Sequence, residues 1–418
     1  MKEVERGLKE LKDLKTLNYV INKQNDLNKN SGKPRHYKVG DVFVDRDKRG
    51  KDRKWAFRKE KNTEYAEKLK KVSELIRSKN FDFELTDAKL ENVLMCAERL
   101  MFSQTDEAMR LEHAFLCKDK LCPVCSWRRS RKNGQINREI LAQFVAEYPK
   151  ARYIQLTLTA KNVTGEELSD GFTHLTESWT RLRKYKAVNQ HMLGFIRGTE
   201  VTYNHNNDTY NHHMHVLVAL KSTYFKSGNY LNHEDWTRLW QKALQVDYRP
   251  IVHVQRVYEK ELTVEEEQDL NDLDLTIPKG LFYALLEVSK YPMKPLNLPN
   301  DFDEMKEIEV IMYLVMGLYR KRQMGLGGEF KRIKAELANE GKNVDEDDLI
   351  GSTDDVTELK DQKRLFVRFF NDYYKVVNVK KVTKEELINE LKMEKEERFR
   401  HLTHELYKNT EDSELDTC

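Results

Sequence analysis

Five residues in the middle of the sequence have the types and spacing of a metal-dependent phosphoryl-transfer site. His213 and His215 stand two apart at the start of an apolar run, so on a β-strand both imidazoles project from one face. They could hold one divalent metal ion, and Glu200, on the preceding candidate strand, could join them. Glu287 and Tyr291 are one helical turn apart. Such a set allows a metal to polarise a phosphate, a tyrosine to attack phosphorus and a carboxylate to handle a proton or a water.

Each of these motifs is common when it occurs alone. A His-x-His pair is usually two polar residues at a strand end, and a glutamate four residues before a tyrosine recurs in many helices. Their combination in one chain is what indicates a site. Lys290 and Lys294 flank Tyr291, and we expect their charge to hold a phosphate there.

A second cluster of chemistry-bearing residues consists of cysteines. Cys117, Cys122 and Cys125 lie within nine residues, with a proline between the last two. A tight Cys-Pro-x-Cys turn brings two sulfurs onto one ion, as tetrahedral thiolate ligation requires. Cys96 or His113 would complete the set, and we predict Cys96. The sequence therefore predicts a structural Zn²⁺ site.

A basic run follows the cysteines, and it could lie along the phosphates of a nucleic acid. The alternative is that these side chains only solvate the surface of a helix. The candidate phosphate ligands are Arg128, Arg129, Arg131 and Lys132.

The overall composition indicates a large charged protein with an uneven charge distribution. The chain has 418 residues, 34 % of them charged, and a net charge of only +3. Basic residues prevail in 1–80 and acidic residues in 341–418, so we expect a polyanion to meet the front and middle of the chain. No apolar run has the length of a membrane span and no signal peptide is apparent, so we expect a cytoplasmic protein without membrane partners. In a reducing compartment, clustered cysteines favour metal over disulfides.

The elements that must position these residues are predicted from hydrophobic periodicity. Strands are predicted at 152–160, 194–203, 212–220, 251–257 and 365–379. Helices are predicted at 63–78, 87–101, 165–188, 232–244, 279–290, 303–321 and 384–407, and a glycine turn at 325–328. Short connections between adjacent strands make antiparallel pairs. The fold class is therefore α+β: a central antiparallel sheet with helices on its faces, preceded by the Cys-rich segment.

The motifs, taken in order, resemble those of a known family. The matching segments are 117–132, Leu-Thr-Leu-Thr at 156–159, Gly-Thr-Glu-Val-Thr at 198–202, His-Met-His-Val-Leu-Val at 213–218 and Glu-Val-Ser-Lys-Tyr-Pro-Met-Lys at 287–294. The sequence resembles the rolling-circle replication initiators of small Gram-positive plasmids, in the single-tyrosine branch of the HUH endonuclease superfamily. The resemblance implies an HUH, ferredoxin-like catalytic sheet and a bacterial host.

The resemblance also implies the roles of the site residues. Tyr291 would attack the double-strand origin and become linked to the 5′ phosphate, leaving a 3′ hydroxyl that primes synthesis. Glu287 would direct water for the terminating cleavage. His213, His215 and Glu200 would hold Mg²⁺ or Mn²⁺, and ligand preference leans toward Mn²⁺.

The charge distribution, the periodicity and the resemblance, which covers roughly 96–338, together give a domain order. We expect a basic extension at 1–80, the zinc-binding and basic segment at 81–140, the HUH nicking and joining domain at 150–380, and a charged helix and tail at 381–418. The expected partners are origin DNA, a host helicase and the replication machinery. The oligomeric state stays open, with a dimer as one option. Two alternatives also stay open: an HUH transposase or relaxase, and a non-catalytic zinc-containing DNA-binding protein.

Overall fold

The computed structural model describes residues 36–47, 50–104, 109–226, 228–258, 277–289, 303–350 and 363–381. Its contacts divide the chain into two compact units. The larger unit comprises Phe57–Glu98 and Phe115–Ser352, and the smaller one comprises Met1–Ala56, Arg99–Ala114 and Thr353–Cys418. These units differ from the four consecutive segments expected from the sequence, because strand pairing brings remote stretches of chain into the smaller unit.

The larger unit is built on a five-stranded antiparallel sheet with the order β7-β4-β6-β5-β8. Its strands are β4 (Arg152–Thr159), β5 (Met192–Asn204), β6 (Thr209–Leu220), β7 (Val252–Arg256) and β8 (Met324–Gly328). The α-helices in the described part of the chain are α1 (Trp55–Ser78), α2 (Asp87–Leu94), α3 (Pro123–Glu147), α4 (Leu168–Leu182), α5 (Lys186–Asn189), α6 (His233–Leu244), α7 (Lys279–Ser289), α8 (Glu304–Gly317) and α9 (Glu329–Asn339). The predicted α+β class with helices on the sheet is confirmed.

The central strand β6 is buried on both faces because helices cover the sheet from both sides. Val216 and Val218 point into a core lined by α4 and α6, which contribute three buried tryptophans. Leu217 and Ala219 point the other way, into a core formed with α3, α7 and α9. The continuous apolar run that predicted this strand is thus explained by burial on both faces.

Two local predictions were wrong, both where tertiary contacts override local sequence. The helix predicted at 87–101 ends at Leu94, and Ala97 turns the chain with a φ of 57° before the strand that begins at Arg99. The glycine turn predicted at 325–328 is strand β8, which pairs with β5. The ring of Phe195 occupies the space that a Cβ on Gly327 would need. Glycine is needed there for close packing, and not for a turn.

The smaller unit contains a second five-stranded antiparallel sheet with the order β1-β10-β9-β2-β3. Its strands are β1 (Val42–Phe43), β2 (Arg99–Gln104), β3 (Met109–Ala114), β9 (Lys363–Phe370) and β10 (Tyr373–Lys381). One face of this sheet packs into an apolar core, in which Phe102, Leu365 and Val376 are fully buried. The strand signal at 365–379 thus corresponds to a hairpin, whereas β2 and β3 were not predicted.

Several predictions concern residues outside the described part of the chain. The basic extension up to residue 35 and the helix predicted at 384–407 lie there. Within the described residues, none of the helices is both long and apolar enough to span a bilayer.

Candidate metal centre and active site

The structure brings Glu200, His213 and His215 together on one face of the central sheet. The Oε2 atom of Glu200 lies 3.3 Å from His213 Nε2 and 3.2 Å from His215 Nε2. The three ligand atoms lie within 4.8 Å of one another, so the group could hold a metal ion. It is largely buried, since Glu200 is only 7 % exposed.

Strand register is what assembles this group. In the hairpin of β5 and β6, Glu200 lies directly opposite His213, and Gly198 lies opposite His215. Residues that face each other across antiparallel strands share a face, as do residues two apart on one strand. A shift of one residue would send both imidazoles to the opposite core.

The other ring nitrogen of each histidine is held by a neighbouring polar side chain. Asn211 Oδ1 lies 3.1 Å from His213 Nδ1 and accepts a hydrogen bond from it. His215 Nδ1 lies 3.2 Å from Thr157 Oγ1, across the strand pair β4–β6. A proton on Nδ1 leaves Nε2 available as a ligand, which is the usual arrangement around metal-binding histidines.

Glu200 has the electrostatics of a cation ligand. Burial raises the pKa of its carboxyl, but hydrogen bonds and charge interactions with His213 and His215 outweigh burial and lower the pKa to about 2. Its Oε1 atom is buried without a hydrogen-bond partner. A buried carboxylate oxygen without a donor is costly, and a bound cation would satisfy it. The residues present therefore fit a divalent metal.

His212 lies on the other side of the same strand. It is 1 % exposed, and its ring is close enough to Gly171 of α4 that a Cβ there would lie 3.1 Å from it. Burial lowers the pKa of His212 to about 4. The structure thus separates this histidine from the group formed by His213 and His215.

The C-terminal end of α7 lies against the strand that carries Glu200. A Cβ on Gly198 would lie 2.6 Å from the carbonyl oxygen of Val288, so only glycine allows this approach. Ser289, the last residue of α7, is held by α3: Asn137 donates to its hydroxyl at 3.0 Å, and Ser130 donates to its carbonyl at 3.0 Å. Glu287 is half-buried on this helix. Tyr291, Lys290 and Lys294 lie outside the described residues.

The four predicted cysteine ligands form one group, in which Cys117 is half-buried and the other three are buried. Cys125 Sγ lies 3.5 Å from Cys96 Sγ and 3.6 Å from Cys117 Sγ, and Cys122 Sγ lies 3.6 Å from Cys96 Sγ. Bonds of about 2.3 Å to a tetrahedral Zn²⁺ would place sulfurs about 3.8 Å apart. The residues therefore fit Zn²⁺, and the group contains Cys96 and not the alternative His113.

The electrostatics of the cysteine group favour thiolate at one sulfur. Hydrogen bonds from the neighbouring thiols and from the amide of Lys118, at 3.2 Å, lower the pKa of Cys125. Burial raises the pKa of Cys122. A metal binds thiolates, so a bound cation would compensate the negative charge of these sulfurs.

The basic run divides into internal and surface side chains. Arg128 is 2 % exposed and donates to the carbonyls of Leu349 and Ile350 at 2.7 and 3.0 Å. Lys132 is fully buried and donates to the carbonyl of Asn343. These two cations satisfy backbone carbonyls within the fold and are not placed to reach a phosphate. Arg129 and Arg131 are half-exposed.

Sequence reasoning missed the residues that orient the site. Thr157 and Asn211 contact the two imidazoles. Gly198 leaves space for α7 to pack against β5. Asn137 and Ser130 donate hydrogen bonds to Ser289, the last residue of α7. The alternation on β4 predicted a strand, but only the pairing register of β4 and β6 places Thr157 opposite His215. The contacts from α3 to α7 carry no local signal.

The comparisons with known proteins agree with this picture. The profile of a family described as "Replication protein" matches residues 108–378. The chain is 38 % identical to "Protein rep" of Streptococcus pneumoniae serotype 2 (strain D39 / NCTC 7466) over 76 % of this chain and 89 % of the relative. It is 37 % identical to "Protein rep" of Lactiplantibacillus plantarum over 75 % of this chain and 90 % of the relative.

A third relative, "Protein rep" of Bacillus amyloliquefaciens, is 34 % identical over 71 % of this chain and 85 % of that protein. No solved structure matches the chain significantly. The predicted kinship with plasmid replication initiators is confirmed, and the chain belongs to the replication protein family.

Proposed function

We propose that this protein initiates rolling-circle replication of a plasmid by binding the double-strand origin and nicking one strand with Tyr291. The observation that carries the proposal is the buried group of Glu200, His213 and His215 on the sheet face that α7 approaches. Tyr291 is the second residue after Ser289, at which α7 ends. Membership of the replication protein family supports the role in replication. In this proposal the larger unit contains the HUH nicking and joining domain.

Glu200, His213 and His215 would hold Mg²⁺ or Mn²⁺, which when bound polarises the scissile phosphate. Asn211 and Thr157 keep the imidazole nitrogens directed at Glu200. Because Glu200 stays ionised well below neutral pH, the group offers a negative charge to the ion throughout the physiological range. Arg129, Arg131, Lys290 and Lys294 are the proposed phosphate contacts around the site.

Tyr291 would supply the nucleophile. A phenol has a pKa of about 10, so it attacks at neutral pH only when the phosphate is polarised. The bond from its oxygen to phosphorus forms as the bond to the 3′ oxygen breaks. The phenol loses its proton and the 3′ oxygen gains one, so the freed 3′ hydroxyl can prime synthesis. The covalent link conserves the phosphodiester energy, so a later 3′ hydroxyl can reverse it.

Glu287 would act at the end of the round. Hydrolysis cannot be reversed by a 3′ hydroxyl, so a carboxylate that takes a proton from water suits a terminating cleavage. Glu287 precedes Tyr291 by four residues and lies on α7, the helix that packs against β5 at Gly198. The host helicase and replication machinery would extend the nicked strand between the two cleavages.

The test is a nicking assay on supercoiled plasmid that carries the cognate origin, with covalent adduct detected by denaturing gel. Tyr291→Phe is expected to lose nicking and adduct together. Glu287→Ala is expected to nick and form adduct but to release multimeric single-stranded products. Tyr283→Phe, two helical turns before Tyr291, is the matched control and should behave as wild type. Adduct formation by Tyr291→Phe, or normal termination by Glu287→Ala, would contradict the assigned role of that residue.

A further inference from the structure

The sheet of the smaller unit has one face in an apolar core and a second face that carries charged and aromatic side chains. Successive side chains of strand β9 point to opposite faces of the sheet, so every other one points away from the core. The side chains on this second face are alternately cationic and aromatic: Arg364, Phe366, Arg368 and Phe370. Arg368 is exposed, and Phe370 is 37 % exposed at the end of the strand. The face is therefore open at this end.

Positive charges continue across the neighbouring strands. Arg368 lies directly opposite Arg99 of β2 on one side and Lys375 of β10 on the other. Arg364 lies opposite Lys380 of β10. Opposite-charge pairs at such positions stabilise a sheet, whereas like charges directly opposite destabilise it. Arg368 thus has a cation opposite it on each of the two neighbouring strands.

Cations outnumber carboxylates among the described strand residues of this sheet. On the described strands of the sheet, Glu112 is the sole carboxylate, and it pairs with Arg364 at 2.7 Å. The cations that the strand register assigns to this face are Arg99, Arg110, Arg364, Arg368, Lys375 and Lys380. A surface with this sign attracts a polyanion.

The aromatic side chains lie among the cations. The rings of Phe370 and Tyr373 are nearly parallel, at 27°, with centroids 6.2 Å apart. The Arg368 guanidinium lies 5.9 Å from the Phe370 ring, and the Lys380 ammonium lies 5.8 Å from the Phe366 ring. Cations beside exposed aromatic rings are the elements of surfaces that track a phosphate backbone and stack its bases.

We propose that this face of the second sheet binds single-stranded DNA, with Phe370 as a stacking platform and Arg368 and Lys375 as phosphate contacts. A single strand is favoured over a duplex because only unpaired bases present their faces to an exposed ring. The inference rests on the proposed function only for the choice of DNA as the polyanion. It assigns to this unit a task separate from cleavage: holding the strand that becomes unpaired at the origin.

The experiment measures binding of the full chain to a fluorescent oligo-dT strand that contains no nick site, in buffer without divalent metal. Fluorescence anisotropy at several salt concentrations gives the affinity and its salt dependence. Arg368→Ala combined with Lys375→Ala should reduce the salt slope by about 1.4, because each lost phosphate contact removes about 0.7. Phe370→Ala should weaken binding about fivefold or more, through lost stacking.

Two variants serve as controls. Lys363→Ala removes an exposed cation from the same strand, but strand alternation places Lys363 on the opposite face. Its binding should stay within about twofold of wild type, since it makes no phosphate contact in the proposal. Phe370→Tyr keeps a stacking ring and should also bind normally. Because Phe370 lies at an exposed strand end, these variants are expected to fold, and circular dichroism checks this.

The outcomes separate this inference from the proposed nicking activity. Equal losses in Lys363→Ala and in the Arg368/Lys375 double variant would show a general charge effect and overturn the proposal. Full affinity of Phe370→Ala, or tighter binding of a duplex of equal length, would also overturn it. Tyr291→Phe should bind oligo-dT normally. A chain that never nicks but binds oligo-dT through this face would refute the proposed function alone.

Discussion

At the scale of single residues, the parity of strand β6 decides which histidines can meet a metal. His213 and His215 share a face with Glu200, whereas His212 is buried against α4. We expect His213→Ala to lose Mn²⁺ binding and nicking while its thermal unfolding stays near that of wild type. His212→Ala should instead lower the free energy of unfolding by about 2 kcal/mol, because it empties a buried site.

Titration calorimetry with Mn²⁺, the nicking assay and thermal unfolding distinguish these two variants. The reverse pattern, with His213→Ala active and His212→Ala unable to bind Mn²⁺, would mean that the strand register is shifted by one residue. Such a result would also remove Glu200 from the site, since its place depends on the same register.

Asn211 is expected to increase the metal affinity of the site through its hydrogen bond with His213. Its Oδ1 accepts from His213 Nδ1 and so fixes both the tautomer and the ring orientation. Loss of such a partner typically weakens metal affinity by about 10- to 100-fold. Asn211→Ala should therefore bind Mn²⁺ at least about tenfold more weakly, with unchanged thermal stability. Unchanged Mn²⁺ affinity would show that His213 needs no orienting partner.

His212 also makes the stability of the protein depend on pH. Burial lowers the pKa of His212 to about 4, against about 6.5 in an unfolded chain. The unfolded state therefore binds the proton more readily, so this contribution to stability is complete above pH 6.5 and is lost as the pH falls toward 4. The loss amounts to about 2–3 kcal/mol at pH 4.5.

His212→Phe keeps a buried ring that does not titrate. Urea unfolding at pH 7 and pH 4.5 should show that this variant loses about 2–3 kcal/mol less than wild type between the two conditions. Equal losses in both proteins would show that His212 is not the group responsible.

At the scale of elements, the approach of α7 to β5 depends on one glycine. A Cβ on Gly198 would lie 2.6 Å from the carbonyl oxygen of Val288, so Gly198→Ala must push helix and strand apart. Displacement of a reacting group by about 1 Å can reduce a rate about 100-fold. We expect Gly198→Ala to nick at least about tenfold more slowly, with Mn²⁺ binding retained.

Gly134 of α3 provides the matched control for this substitution. Nothing lies within 4 Å of a Cβ at that position. Gly134→Ala should therefore keep full nicking activity and gain about 0.5–1 kcal/mol in stability, as alanine does inside a helix. Single-turnover nicking rates of the two variants provide the comparison, and equal rates would show that the α7–β5 approach does not position the nucleophile.

At the scale of the whole molecule, the cysteine group joins stretches of chain that are distant in sequence. Cys96 follows α2, whereas Cys122 and Cys125 begin α3, the helix that also holds the end of α7. A metal at this group would thus stabilise the larger unit. We expect one Zn²⁺ per chain by elemental analysis, and a Tm lower by about 5 °C or more after removal of the metal by a zinc chelator.

Cys96→Ser should reduce the zinc content and the Tm together. Purified wild-type protein that contains no zinc yet nicks DNA would refute a structural zinc site. A normal zinc content in Cys96→Ser would leave three cysteines as ligands and would require a different fourth one.

The sequence by itself determined the elements that carry strong periodicity and the residues that they present. Strands β4, β5 and β6 begin and end within three residues of their predicted limits, because alternation and apolar runs are local properties of the chain. The pairing of Glu200 with His213 follows from that alternation and a short hairpin. The cysteine set followed from spacing alone, up to the choice between Cys96 and His113.

Tertiary structure decided what no local pattern encodes. The glycines of β8 form a strand because they pair with β5, and Gly327 leaves the space that the ring of Phe195 occupies. Strand β2 forms because two other strands pair with it. Arg128 and Lys132 are internal because distant backbone carbonyls accept from them. These outcomes depend on contacts between residues far apart in the chain, and such contacts set burial and register only after the chain has folded.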